Sequence, residues 1–235
     1  MRYMLDLMDA DMGSVMAVGD GGNDIAVVNN RKAKIELLIQ KEHLEPEQTE
    51  TGLEPGDVDI NAITPVTRFS RQSVAVAQKI SSFVCGDLNS DGLADLAFYG
   101  DPKGLYVMLQ KASETPENKL LSWRTRKRIN IEDGLMTPDA LVCADLNNDQ
   151  ADDLALASKN AVYIVLQESD GALAEPVKYP VTARILGLRV GDINGDGVND
   201  LVAITNDADK PLHIRFGLST GQLGPQQRFF IEKPY

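Results

Sequence analysis

Three stretches of this 235-residue chain carry oxygen-bearing side chains at one shared spacing. Asp87, Asn89, Asp91 and Asp95 form the first set. Asp145, Asn147, Asp149 and Asp153 form the second, and Asp192, Asn194, Asp196 and Asp200 the third. Counting from the first Asp of each set, these are loop positions 1, 3, 5 and 9. So many carboxylates in nine residues repel one another unless a cation lies among them. Calcium takes roughly six to eight oxygens from carboxylates, amides, backbone carbonyls and water, which is the donor set offered here. The spacing predicts three calcium loops, and so about three Ca2+ ions.

The elements that must position these loops are strands. An EF-hand opens with the same Asp-x-Asn-x-Asp-Gly but needs a Glu at position 12 and flanking helices. Position 12 here is Phe98, Leu156 and Ala203. The first loop is bracketed by Phe83-Val84-Cys85 and by Leu96-Ala97-Phe98-Tyr99, short apolar runs that read as buried strands. The carboxylate at position 9 closes the loop just before the second strand.

A D-x-N-x-D-G-x-x-D-L loop between two apolar strands resembles the FG-GAP (VCBS) repeat, which builds the blades of integrin-type calcium-binding β-propellers. That resemblance implies calcium ligation by the side chains at positions 1, 3, 5 and 9 and by the position-7 carbonyl, here Leu93, Ala151 and Val198. The run VVNNRKAKIELLIQ and the turn SDGALAEP resemble parts of long bacterial secreted VCBS-repeat proteins. By resemblance the chain is expected to be a non-catalytic, calcium-stabilised module of adhesion type that binds a protein or a carbohydrate. An extracellular or periplasmic setting is implied on the same basis. The alternative class is a calcium-dependent lactone or ester hydrolase on a propeller scaffold, with no catalytic residue assignable. A third is a structural piece of a longer propeller.

An internal period organises the rest. Asp87, Asp145 and Asp192 are 58 and 47 residues apart, and VMAVGDGGNDIAVVNN repeats the frame with four residues missing. That first copy lacks positions 3 and 5 and reads as a tight glycine-rich turn. Further strand-like runs follow each loop: Leu105–Gln110 and Trp123–Ile131, Ala161–Gln167 and Pro176–Val181, Leu212–Phe216 and Gln226–Ile231. Four strands per unit is one propeller blade. The expected architecture is therefore all-β, a single propeller domain over 1–235. Its blades are expected at about 13–80, 81–136, 137–184 and 185–235, with an acidic insertion at 42–59. Four blades fall short of the seven of integrin-type rings. The expectation is thus a small closed ring, an incomplete ring completed by self-association with another copy, or, preferred, part of a longer protein.

Composition agrees with one β domain: 43% of residues are hydrophobic and 6% aromatic. A net charge of −12 argues against a nucleic-acid partner. Three divalent ions would bring that charge to −6, so part of the acidity is a count of ligands. No run of 18 apolar residues occurs, so no membrane-spanning helix is expected. MRYMLDLMDADMGS lacks the apolar stretch of a signal peptide. Cys85 and Cys143 share one repeat position, filled by Val18 and Val190 in the other copies, and are expected to be buried, unpaired and inert.

Four other features have simpler readings than function. Gln150 replaces the position-6 Gly92 and Gly197, where a left-handed backbone costs a side chain about 1 kcal/mol, so the second loop should be the weakest site. Gly217-Leu218-Ser219-Thr220-Gly221 matches the hydrolase G-x-S-x-G pattern but precedes Gln222-Leu223-Gly224-Pro225, which opens no helix, and reads as a turn. His43 borders the acidic insertion, and His213 is expected at the surface or between blades. Arg124, Arg126, Lys127 and Arg128 fit an outermost strand whose charge discourages edge pairing.

Overall fold

The computed structural model describes residues 12–18, 24–40, 69–111, 122–218, 220 and 222–231. The acidic insertion, the glycine-rich first turn, His43 and the opening MRYMLDLMDAD lie outside the described residues. The described chain forms four antiparallel four-stranded sheets, each a simple meander, and no sheet closes on itself. Blade 1 is β1 (Met12–Val18), β2 (Asp24–Asn29), β3 (Lys34–Gln40) and β4 (Phe69–Ala75). Blade 2 is β5 (Lys79–Gly86), β6 (Asp95–Asp101), β7 (Gly104–Lys111) and β8 (Ser122–Ile129). Blade 3 is β9 (Leu141–Ala144), β10 (Asp153–Ala157), β11 (Ala161–Val165) and β12 (Val177–Pro180), entered through a 3-10 turn at Pro138–Ala140. Blade 4 is β13 (Ile185–Gly191), β14 (Asp200–Thr205), β15 (Leu212–Arg215) and β16 (Gln227–Phe229).

The first strands of successive blades stand beside one another, β1 against β5, β5 against β9 and β9 against β13. The blades therefore follow one another along an arc, as in an incomplete propeller. Each loop of interest joins a blade's first strand to its second, as the strand–loop–strand reading requires.

Alternation along the second strands shows how the arc is held. Their buried side chains point to both faces, because each middle blade has a neighbour on either side. In β6, Leu96 and Phe98 join the core shared with blade 1, where Ala26, Val28, Ile35 and Leu37 lie. Ala97 and Tyr99 enter the core shared with blades 3 and 4, among Leu154, Leu156 and Leu201. Phe98 is fully buried and stacks on Tyr106, ring centroids 5.4 Å apart. These inter-blade cores do the work of a hydrophobic centre, since a single four-stranded sheet has no other place to hide its faces.

Blade 1 carries a polar exception. Glu36 is buried on its third strand, where Arg71 donates to Oε1 from 3.0 Å and to Oε2 from 3.1 Å, Ser73 donates to Oε2 from 2.6 Å, and Lys34 forms an ion pair. Burial alone would raise its pKa; the bonds from Arg71, Lys34 and Ser73 outweigh that and hold it down at about 2.

Candidate cation loops and the joints between blades

The three loops share one hydrogen-bond pattern despite different sequences. The position-1 carboxylate gathers the loop's own N–H groups. Asp87 Oδ1 accepts from Asp91 N at 3.1 Å and its Oδ2 from Gly92 N at 2.8 Å. Asp145 accepts from Asp149 N at 3.2 Å and Gln150 N at 2.8 Å, and Asp192 from Asp196 N at 3.1 Å and Gly197 N at 2.9 Å. At position 3, each Asn accepts the position-5 N–H and donates its amide to the position-5 carboxylate, 3.0 Å for Asn89–Asp91 and 2.8 Å for both Asn147–Asp149 and Asn194–Asp196. Position 5 in turn accepts from the N–H of position 7: Leu93, Ala151 and Val198.

This winding puts two residues of every loop at positive φ. Position 6 is one: Gly92 at 80°, Gly197 at 84° and, against its preference, Gln150 at 71°. Position 4 is the other: Ser90 at 56°, Asn148 at 62° and Gly195 at 77°. Sequence reasoning found the strain at Gln150 and missed position 4. The signal there was a run of small or Asx-type residues able to tolerate the left-handed region.

Position 9 is fully buried in all three loops, at Asp95, Asp153 and Asp200. One oxygen accepts from the position-2 N–H, Leu88 at 3.0 Å, Leu146 at 2.9 Å and Ile193 at 2.9 Å. The other accepts from the end of the third strand, Gln110 at 2.7 Å, Gln167 at 2.8 Å and Gly217 at 2.8 Å. Each such Asp therefore pins its loop and two strands of its own blade. Burial, with the charges of Asp91 and Asp87 adding to it, pushes the Asp95 carboxyl up to about 6. Burial and then Asp149 and Asp145 do the same for Asp153, also to about 6.

The donor chemistry suits a hard cation: carboxylates at 1, 5 and 9, an amide oxygen at 3 and a carbonyl at 7, with lone pairs to spare on each oxygen. Crowded carboxylates, two of them pushed above their ordinary pKa, are what a divalent ion would relieve. Among the described residues no three Asp, Glu, His or Cys side chains stand in a closed metal-binding cluster. The position-3 amides, turned onto position 5, would have to present oxygen to the ion.

Position 8 turns out to be a joint. Asp152 leaves its own loop and accepts the N–H of Asp87 in the preceding blade at 2.9 Å. Asn199 repeats the reach one blade on, donating to the Asp145 carbonyl at 2.9 Å. Gln167 strengthens the first joint, donating to the carbonyls of Asp87 at 2.8 Å and Asp152 at 3.2 Å, while Ser90 donates to its Oε1. Gly171 lies so close to the Asn89 carbonyl that a Cβ would not fit. The first blade uses another device: Asn30 both donates to the Ile80 carbonyl at 2.9 Å and accepts its N–H at 2.8 Å. The sequence offered one signal of this joint, the Asp and Asn that stand at one loop position of two copies.

The remaining features fall into structural roles. Gly217 donates to Asp200 at 2.8 Å, and Leu218 N–H bonds the Gln222 carbonyl at 2.9 Å; Ser219 and Gly221 of the G-x-S-x-G stretch lie outside the described residues. His213 is the inter-blade histidine, 2% exposed, its Nδ1 3.2 Å from the Gln226 amide and its Nε2 3.7 Å from Asp207. Beside it Arg215 donates to the carbonyls of Gly224 at 2.9 Å and Pro180 at 3.0 Å and lies 5.4 Å from the centre of the Tyr179 ring. The basic cluster lies on β8, the outermost strand of blade 2, where Lys127 reaches the Leu173 carbonyl of blade 3 at 3.0 Å. Both cysteines are free. Burial pushes the Cys85 thiol up to about 12, and burial followed by Asp152 and Cys85 raises Cys143 as well, so both stay protonated.

The family model and the lectin neighbour agree with the fold. Residues 145–203 match the model of the FG-GAP-like repeat, a span from the first Asp of the second loop to the second strand of blade 4. No curated protein matches the chain. Among solved structures, an Agrocybe aegerita lectin that recognises non-reducing terminal N-acetylglucosamine is similar at a TM-score of 0.53 and 18% identity. The match covers 91% of this chain and 50% of the lectin's, so the chain spans about half the length of that neighbour. The Photorhabdus luminescens Tc holotoxin pore matches at a TM-score of 0.46 and 16% identity over 91% of this chain and 9% of its own.

Proposed function

We propose that this chain, whose FG-GAP-like repeat spans residues 145–203, is a calcium-stapled binding module that presents its blade surfaces to a carbohydrate or protein ligand. One observation supports the reading: three loops of different sequence share one hydrogen-bond pattern, in which the oxygens of positions 1, 3 and 5 accept the loop's own N–H groups. Calcium would be held by Asp87, Asn89, Asp91, Leu93 and Asp95; by Asp145, Asn147, Asp149, Ala151 and Asp153; and by Asp192, Asn194, Asp196, Val198 and Asp200. Its chemistry there is charge neutralisation and cross-linking of the hairpin. Position 9 ties each loop to the second and third strands, so an ion bound above it stiffens the blade and the joint reached by position 8.

Carbohydrate comes first as the ligand class because the lectin neighbour uses this fold for a terminal sugar. The setting that suits such loops is extracellular, where calcium is abundant enough for sites of roughly 10⁻⁴–10⁻³ M affinity. Thermal unfolding with calcium and with a chelator tests the metal. A rise of several degrees with calcium is expected through mass action, and an unchanged midpoint would sink the reading. A glycan array probed with and without chelator tests the ligand; calcium-dependent retention on defined sugars supports the carbohydrate class, and blank arrays move the proposal to protein ligands.

A further inference from the structure

Aligned on the buried Asp of position 9, the third strands of blades 2, 3 and 4 differ at two places. On β7, Tyr106 stands opposite Phe98 and Met108 opposite Leu96. On β11 the same places hold Tyr163, opposite Leu156, and Val165, opposite Leu154. On β15 they hold His213, opposite Ala203, and Arg215, opposite Leu201. Two blades thus place an aromatic and an aliphatic side chain where the third carries an imidazole and a guanidinium. A cavity of about 10 Å³ lies there, at the joint of blades 3 and 4, room for the centre of one water molecule. Val162 on β11 and Leu201 and Ala203 on β14 form its apolar wall, all of them buried.

Arg215, Gln226 and His213 line the same cavity, and each keeps one buried atom without a hydrogen-bond partner among the described residues. These atoms are Nε of Arg215, Oε1 of Gln226 and Nε2 of His213. The terminal nitrogens of Arg215 donate to the Gly224 and Pro180 carbonyls, which leaves Nε–H as the unused donor. The Gln226 amide nitrogen donates to Thr182 Oγ1 at 2.9 Å and stands 3.2 Å from Nδ1 of His213, so its oxygen is left as an acceptor. With Nδ1 accepting from that amide, the ring proton sits on Nε2, 3.7 Å from Asp207 and beyond a direct hydrogen bond. Holding a charged donor and an amide oxygen dry at an apolar joint would be costly.

We propose that this cavity binds one ordered water molecule, which accepts from Nε–H of Arg215 and donates to Oε1 of Gln226. The donor set selects the occupant. The guanidinium repels a cation, and the amide oxygen repels an anion. A molecule that both accepts and donates, and fits about 10 Å³, is water. Its second lone pair is open to Nε2–H of His213, the other donor of the same wall. Arg215 and Gln226 already reach blade 3 and its exit at Pro180 and Thr182, so the water completes a polar lock between two blades. It belongs to their packing and stands or falls independently of the ligand and the metal.

Magnetic cross-relaxation between water and methyl protons tests it. Val162, Leu201 and Ala203 are 1%, 2% and 3% exposed, so bulk solvent does not reach their methyl groups. In the wild-type chain these methyls should show water cross-peaks with the sign of a long-lived, bound molecule. The double variant Arg215→Met, Gln226→Leu carries at 215 the residue that blade 2 has at the same place. It should lose the cross-peaks while its circular dichroism stays unchanged. Val162→Ile, which adds one methylene at the cavity wall, gives a second reading. The Ala203 cross-peak should vanish and the melting point fall, because the polar atoms lose their partner. A wild type without cross-peaks at these methyls overturns the proposal, whatever the variants do. Cross-peaks that persist in the double variant overturn it as well, since these groups would not then hold the water. A melting point that rises in Val162→Ile also overturns it, because filling a dry cavity stabilises.

Discussion

The backbone N–H of Asp87 donates to Oδ2 of Asp152 across the joint between blades 2 and 3, at 2.9 Å. Burial, followed by the charges of Asp87 and Asp145, raises the Asp152 carboxyl above its ordinary pKa. Asp152→Ala should cost about 1–3 kcal/mol, because it leaves the Asp87 N–H without its acceptor. Asp152→Asn keeps an acceptor oxygen and drops the crowded charge, so it should retain most of the stability. Urea unfolding of the two variants checks this; equal losses would mean that the charge, and not the hydrogen bond, makes the joint.

The position-9 carboxylates should matter more to the fold than the exposed ligands of the same loop. Asp153→Ala strips partners from Leu146 N–H and Gln167 N–H, both in buried surroundings, and should cost about 2–5 kcal/mol. Asp149→Ala removes an exposed side chain that accepts only from Asn147 and Ala151 of its own loop and should cost under about 1 kcal/mol in chelator. In saturating calcium both losses should grow, because on the proposed ligation both side chains would then hold the same ion. Denaturant titrations of both variants, with and without calcium, decide it.

How much of this was readable beforehand follows from which forces are local. The loops, their strand flanks and the meander of each blade were legible because charge spacing and apolar alternation act within a few residues. Position 6 was legible at Gln150 because a left-handed backbone is a local cost. The joints were not. Asp152 and Asp87 are 65 residues apart, and nothing near either says that they meet. Glu36 was opaque for the same reason, since its partner Arg71 comes from the far side of the insertion. His213 was placed between two options by alternation on β15, and the packing of blade 4 against blade 3 chose the buried one.

Gln150 offers a stabilising change. Its φ of 71° is the conformation glycine fills at the same place in the other two loops. Gln150→Gly should gain about 0.5–1 kcal/mol, the relief of a side chain from the left-handed region less the added freedom of the unfolded chain. It should also tighten calcium at the second loop, which on the proposed ligation this strain should make the weakest of the three. Isothermal titration of the variant should show that site moving toward the other two; an unchanged affinity with a raised melting point would separate backbone strain from metal binding.

Acidification should act in opposite directions with and without calcium. In chelator, Asp95 and Asp153 titrate near 6 in the folded chain against 3.8 for the ordinary carboxyl. Between those values the folded state holds more protons than the unfolded one, so stability falls as pH rises through the window and reaches its floor above about 6. Lowering pH from 7 to 5 should therefore raise the chelated protein's stability by roughly 1–3 kcal/mol, a few degrees for a chain of this size. Glu36 does not interfere there. Its carboxyl is held down at about 2, so its contribution is complete above its ordinary 4.5 and fades only below that. With calcium bound, protons compete with the ion for the same oxygens, and the same change of pH should lower the melting point. Melting curves at pH 5 and pH 7, each with calcium and with chelator, give four midpoints whose two trends should cross. Parallel trends would mean that these carboxylates never meet the ion.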